Sequence, residues 1–285
     1  MEVILGKTAG FCYGVKRAVE GAKTEIEKCK NTYCLGEIVH NKQVVENLKK
    51  KGMKFIENLE EIKQKDANVI IRAHGVPKNI YKLAKEKNIK IIDYTCPNVL
   101  KIHEIADKYS KDGYYIILCG NKNHPENLGT ISYCNQNYDV VEKEEEINKI
   151  IDKIISNNMD KVLLISQTTY NLEKFKNIEK VLKNQLSKKN IELIVKNTIC
   201  RATELRQKET EEIAQKVDYM IIIGGKNSSN TKKLYEIAKK HCDNTVCIET
   251  VKELEIEKLK KFNKIGIMAG ASTPDESIKD VLSSL

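Results

Sequence analysis

The chain has 285 residues, 41% of them hydrophobic and 31% charged, which is enough for more than one packed core and suggests two or three small domains. No run of about 18 apolar residues offers a membrane span, and Met1-Glu2-Val3-Ile4-Leu5-Gly6 lacks the basic-then-apolar layout of a secretion signal, so the expected compartment is the cytoplasm. The formal charge of +9 comes from lysines spread along helix-period faces, without a basic arm, RNP-type aromatic motif or zinc-finger spacing, and nucleic acid is excluded as the expected partner.

In chain order, short apolar runs recur between helix-period stretches. Val3-Ile4-Leu5 precedes Cys12, Val69-Ile70-Ile71 precedes Arg72, and Lys90-Ile91-Ile92 leads to Cys96. Tyr115-Ile116-Ile117-Leu118, Val162-Leu163-Leu164-Ile165 and Met220-Ile221-Ile222-Ile223 follow, each bounded by glycine or polar clusters. That alternation predicts an α/β protein with parallel sheets.

A threefold repeat underlies the order. Gly36, Gly120 and Gly224 each lie 24 residues beyond a cysteine (12 to 36, 96 to 120, 200 to 224), and His40, His124 and Ser228 come four residues later. Later strands end in Arg72-Ala73-His74-Gly75, Ser166-Gln167-Thr168-Thr169 and Ala269-Gly270-Ala271-Ser272. Thr168 lies 72 residues after Cys96 and Ser272 72 after Cys200, whereas His74 lies only 62 after Cys12, so the first repeat is expected to be shorter by about one helix turn or loop. The expected architecture is a pseudo-threefold arrangement of three small α/β domains, 1–96, 97–197 and 198–285, around a central site. The Val3-Ile4-Leu5 strand is expected to pair with the last domain.

Nine cysteines in a reducing compartment are expected as free thiols. Cys12, Cys96 and Cys200 occupy equivalent repeat positions and are too far apart in sequence for a finger or ribbon, so the fold must assemble any site they share. Thiolates suit iron-sulfur clusters or zinc, and a cubane on three of them leaves one iron open as a Lewis acid. Cys29, Cys34, Cys119, Cys134, Cys242 and Cys247 lack threefold partners and are expected as small packed residues, the Cys29/Cys34 and Cys242/Cys247 pairs giving a weak zinc signal.

Together with these cysteines, several motifs make the chain resemble the 4-hydroxy-3-methylbut-2-enyl diphosphate reductases, the LytB family. They are Ala9-Gly10-Phe11-Cys12-Tyr13-Gly14-Val15, Gly36-Glu37-Ile38-Val39-His40-Asn41, Arg72-Ala73-His74-Gly75-Val76, Thr95-Cys96-Pro97, His124-Pro125-Glu126, Gln167-Thr168-Thr169, Ser228-Ser229-Asn230 and Ala269-Gly270-Ala271-Ser272. Ser166, where threonine is common, and the lysine density are small departures. The resemblance implies a trefoil-like fold and one 4Fe-4S cluster on Cys12, Cys96 and Cys200. It also implies reductive dehydroxylation of an allylic diphosphate to isopentenyl and dimethylallyl diphosphates, the last step of the methylerythritol phosphate route, with ferredoxin or flavodoxin as electron donor. Gly224-Gly225-Lys226-Asn227-Ser228 lacks the spacing of a dinucleotide site.

Within that resemblance His40, His74, His124, Thr168, Ser228, Ser229, Asn230 and Ser272 are expected to bind the substrate. Glu126 is the expected proton donor, with Thr168 as relay. Thr273 and Glu276 have capping-box spacing, which assigns Thr273 to a helix cap and Ser272 to phosphate. His103 and His241, in helix-like stretches, are set aside. The rival readings are a non-redox 4Fe-4S hydro-lyase and a non-catalytic module that senses metal or oxygen.

Overall fold

The computed structural model describes residues 1–64 and 66–285. Its first elements are β1 (Glu2–Leu5), α1 (Tyr13–Lys28), β2 (Thr32–Leu35), α2 (Lys42–Lys50), β3 (Lys54–Ile56), β4 (Asn68–Ile71), α3 (Lys78–Glu86) and β5 (Lys90–Asp93). Next come α4 (Pro97–Lys111), β6 (Tyr115–Cys119), α5 (Pro125–Ile131), β7 (Tyr138–Val141), α6 (Ile147–Ser156), β8 (Lys161–Ser166), α7 (Leu172–Ser187) and β9 (Glu192–Val195). The last are α8 (Arg201–Ala214), β10 (Tyr219–Ile223), α9 (Ser229–His241), β11 (Thr245–Ile248), α10 (Ile256–Leu259), β12 (Lys264–Ala269) and α11 (Asp275–Ser284). The apolar runs of the sequence are thus strands, and α/β with parallel sheets is the observed class.

The strands form three four-stranded sheets, β3-β2-β4-β5, β7-β6-β8-β9 and β1-β12-β10-β11. Read from the second edge, the first two follow the order fourth, third, first, second. In the third sheet β1 fills the fourth-strand place, lying parallel to β12 with Glu2 opposite Lys264 and Leu5 opposite Ile267. The pairing expected for the N-terminal strand is therefore present.

Two compact units result. Met1–Lys30, Glu37–Phe55 and Arg201–Leu285 make one, which holds the third sheet, and Asn31–Gly36 with Ile56–Cys200 makes the other. Strands buried on both faces read as continuous aliphatic runs because helices cover each side of a parallel sheet. In the third sheet Ile221, Ile223, Ile265 and Ile267 pack on one face with Ile278 and Val281 of α11. Met220, Ile222 and Met268 pack on the other with Leu234 and Ala238 of α9. The middle sheet repeats the pattern, Ile117 and Leu164 packing with Phe175, Ile178 and Leu182 of α7, and Ile116, Leu118, Leu163 and Ile165 with Ile102 and Ala106 of α4.

The repeat is also a repeat of hydrogen bonds. Gly36, Gly120 and Gly224 each end the first strand of a set and donate N–H to the end of the second, at Ile56 (2.7 Å), Val141 (2.9 Å) and Ile248 (2.8 Å). After the second strand a short 3-10 turn carries a glutamate, Glu61, Glu146 or Glu253, whose Oε1 accepts two successive backbone N–H groups. The first repeat is shorter because, among the described residues, no helix follows its 3-10 turn, where the second has α6.

Gly36 adopts φ +69°, and a Cβ there would lie 2.3 Å from the Arg72 guanidinium. Gly36→Ala is expected to lose on the order of 1–3 kcal/mol in urea unfolding, from strain and from displacing Arg72. Gly113→Ala, at φ +85° with nothing within 4 Å, reports the strain alone and should lose less. Equal losses would show that Arg72 yields freely.

Candidate active site

Each repeat cysteine stands where a strand gives way to a helix. Cys12 and Cys96 are the N-caps of α1 and α4, and Cys200 immediately precedes α8. Their N–H groups donate to matching carbonyls, Cys12 to Ala271 (3.2 Å), Cys96 to Ala73 (3.0 Å) and Cys200 to Thr168 (3.0 Å). These acceptors lie in turns closed by Gly75 N–H to Arg72 O, Tyr170 to Gln167 and Thr273 to Gly270. All nine cysteines are free thiols, and these three are only half-buried. A half-buried thiol where a helix begins is reachable by a metal. Cys34 and Cys119 are fully buried, and burial pushes Cys34 up to about 12 and Cys119 higher still, so these keep their protons. Thiolate donors suit an iron-sulfur group, and each of the three repeat cysteines can offer one.

The turns correct one detail of the repeat. Counting from the cysteines aligns Thr168 with Ser272, but the hydrogen bonds align Thr168 with Ala73 and Ala271, and Thr169 with His74 and Ser272. The step from β7 to β8 (141 to 161) is four residues longer than that from β11 to β12 (248 to 264), while the stretch from Gly120 to Val141 is three shorter than that from Gly224 to Ile248, so a count from the cysteine slips by one.

In the second unit the expected residues form a connected set. The carboxylate of Glu126, 1% exposed, accepts the Thr168 N–H at Oε1 (2.6 Å) and the Thr168 hydroxyl at Oε2 (2.7 Å). Burial raises the Glu126 pKa to about 7 against the pull of both Thr168 bonds. The carbonyl of the same Thr168 takes the Cys200 N–H, so one residue ties a neutral-range acid to a metal-ligand candidate. His124 caps α5, its Nδ1 accepting the Glu126 N–H at 3.2 Å, which leaves Nε2 as the ring's remaining donor. The His74 ring meets His124 edge-on at 5.3 Å. Cys96 and Cys200 are linked as well, because Asn98 on the first turn of α4 donates Nδ2 to the Cys200 sulfur at 3.1 Å.

In the first unit Ser272 Oγ donates to the His40 carbonyl at 3.3 Å, and a Cβ on Gly225 would lie 2.4 Å from that carbonyl, so the His40 turn sits directly on the backbone after β10. Ser228 caps α9, its Oγ accepting the Thr231 N–H, and Ser229 opens the helix half-buried. Asn230, 3% exposed, has neither amide atom hydrogen-bonded. A buried primary amide without partners costs several kcal/mol unless a ligand completes it. At the start of a 13-residue helix it suits an anion. The expected capping box at Thr273 is absent. Pro274 is the N-cap of α11, and the Thr273 hydroxyl donates instead to the Ile223 carbonyl at 2.9 Å, satisfying the end of β10 from within the core.

Several residues with a bearing on the site carried no sequence signal. Arg206, 3% exposed on α8, donates to the carbonyls of Thr8 (2.8 Å) and Gly10 (2.9 Å), while Glu209 accepts the N–H groups of Lys7 and Thr8, so one helix face holds the loop to Cys12. Charged side chains on a helix read as a solvated face, and only tertiary packing turns these two inward. Gln167 similarly bridges Asn121 and Asn127 to Thr169. His103, set aside in the sequence, fills the space between the Gly75 turn and Gly129 of α5, stacked on Tyr133, and burial lowers its pKa to about 4, so it stays neutral.

Comparison with known proteins identifies the family. The family model described as "LytB protein" matches residues 3–285. The 4-hydroxy-3-methylbut-2-enyl diphosphate reductase of Caldanaerobacter subterraneus subsp. tengcongensis is 43% identical over 289 residues, covering 100% of this chain and 96% of the relative. The reductase of that name from Aquifex aeolicus is also 43% identical, at the same coverage. A solved structure of (E)-4-hydroxy-3-methyl-but-2-enyl diphosphate reductase, described as the terminal enzyme of the non-mevalonate pathway, shares 42% identity at TM-score 0.71, covering 100% of this chain and 99% of that one. The E-1-hydroxy-2-methyl-but-2-enyl-4-diphosphate reductase of Plasmodium falciparum shares 34% identity at TM-score 0.90, covering 99% and 87%. With the whole length matched and the motifs in place, this chain belongs to the LytB protein family.

Proposed function

We propose that the chain reduces 4-hydroxy-3-methylbut-2-enyl diphosphate to isopentenyl and dimethylallyl diphosphates. Full-length likeness to relatives of that name supports the reading. The observation that carries it is the Glu126, Thr168 and Cys200 connection, a buried acid near neutrality bonded to the residue that holds a cysteine N–H.

Family membership implies a metal-cluster cofactor, and in this proposal Cys12, Cys96 and Cys200 hold one 4Fe-4S cluster. Held there, such a cluster would pass on electrons taken one at a time from a donor protein and would supply Lewis acidity. The allylic C–O bond breaks, a C–H bond forms, and two electrons and two protons balance the release of water. Hydroxide leaves poorly, so Glu126 delivers its proton to the departing oxygen, with the Thr168 hydroxyl steering that oxygen. His40, His74, His124, Ser228, Ser229, Asn230 and Ser272 bind the diphosphate through N–H and O–H donors, the amide of Asn230 gaining the partners it lacks.

The division at 96 and 197 into three α/β domains is kept in the proposal, with β1 contributed to the third sheet. Ferredoxin or flavodoxin is the proposed electron donor, an acidic partner for a chain of formal charge +9. No helix among the described residues is long and apolar enough to cross a membrane, in keeping with a proposed cytoplasmic site of action.

Protein purified without oxygen is expected to carry about four iron and four sulfide per chain, and to turn over the hydroxy-diphosphate only with a reductant such as dithionite and a mediator. Turnover without reductant would make it a hydro-lyase, and a single zinc without activity would make it a sensing module. Replacement of Cys12, Cys96 or Cys200 by Ala should abolish the brown chromophore, whereas Cys134→Ala should leave it.

Glu126→Gln should keep the cluster and substrate affinity while turnover falls on the order of 10²-fold or more. A proton donor must be protonated, so wild-type turnover should decline as pH rises through about 7. Stability gives an independent check. The folded pKa of about 7 exceeds the ordinary value of 4.5, so the contribution of Glu126 is fully present below 4.5 and lost as pH rises through 7. Urea unfolding of Glu126→Gln should lack that decline, and an unchanged pH profile would remove the assigned pKa.

A further inference from the structure

Asn98 is the second residue after Cys96, on the first turn of α4, and its side-chain amide donates to the sulfur of a different cysteine, Cys200, at 3.1 Å. Only the NH₂ end of an amide is attracted to sulfur, because the carbonyl end would set two negative dipole ends against each other. The other repeats provide nothing similar at this place. The second residue after Cys12 is Gly14 and the second after Cys200 is Ala202, neither with a side-chain donor. The threefold pattern is thus broken at one sulfur.

Negative charge added to an iron-sulfur group spreads over its sulfurs, so a donor on a ligating sulfur stabilises the reduced state more than the oxidised one. We propose that Asn98 is a positioning and tuning residue for the cluster, its N–H···S bond to Cys200 raising the reduction potential and thus easing electron uptake from the donor protein. The inference rests on the proposed cluster and goes beyond it in assigning a residue that sets its potential.

Asn98 is exposed, so replacement leaves the core intact. Two variants are needed: Asn98→Leu removes the donor at similar size, and Asn98→Asp keeps the shape but sets a carboxylate against the sulfur. Redox titration followed by electron paramagnetic resonance, on protein of measured iron and sulfide content, is expected to order the potentials wild type, Asn98→Leu, Asn98→Asp from highest to lowest. Loss of the donor should shift the reduction equilibrium between about threefold and about tenfold, the latter about 59 mV for one electron. Resonance Raman bands of the iron–cysteine bonds should shift in deuterated water more for wild type than for Asn98→Leu. Full iron content with equal potentials in all three proteins overturns the inference while the cluster stands, whereas wild type devoid of iron overturns the cluster reading and this one together.

Discussion

A cysteine proposed as a metal ligand has to satisfy two opposed demands: its sulfur must be reachable, yet its position must be fixed to a fraction of an ångström. In this fold the backbone meets the second demand. The N–H groups of Cys12, Cys96 and Cys200 are each anchored to a carbonyl in a turn at the end of a neighbouring strand, so the sulfurs take their places from sheet geometry rather than from side-chain packing. Most else follows from that bond. The turn that accepts it also presents His74, Thr169 or Ser272, and a helix begins beside each cysteine. The sheets are alike in strand order because each must deliver the same turn to the same cysteine.

Glu126 shows how the repeat was specialised. In its own unit the turn residue Thr168 gives its amide and hydroxyl to a carboxylate and its carbonyl to Cys200, using every polar group it has. The equivalent residues, Ala73 and Ala271, have no side-chain polar group. Two hydrogen bonds alone would hold the Glu126 carboxyl ionised, but its burial outweighs them and brings its proton within reach of neutral pH. A carboxyl in the same sequence position on a solvated helix start would be an ordinary dipole partner, and burial is what makes it an acid.

Much of this was legible in the sequence. The strands centred on Val69, Ile117, Leu164 and Ile221 read as apolar runs, and the spacing from cysteine to glycine to polar residue exposed the repeat. The return of β1 to the last sheet followed from Val3-Ile4-Leu5 standing before Cys12 as Lys90-Ile91-Ile92 stands before Cys96. Register at the turns was less accessible, since loop length between strands varies and a count from the cysteine slipped by one at Ser272. The capping motif at Thr273 misled because a local pattern competes with tertiary demand, and the Ile223 carbonyl, which also accepts the Gly270 N–H, took the hydroxyl. Arg206 and Glu209 were invisible for a related reason. Their partners are backbone groups about 200 residues away, which no local periodicity encodes.

The place of β1 has a consequence for the order in which the molecule is made. Its hydrogen-bonding partner, β12, is near the opposite terminus, and the helix that clamps the loop to Cys12 is also synthesised late. A nascent chain therefore carries β1 without its strand partner until β12 has been made, and closes the third sheet only once β12 has left the ribosome. Any inorganic centre that draws on Cys12 is accordingly completed only after β12, on a chain whose other sheet-forming segments have already emerged.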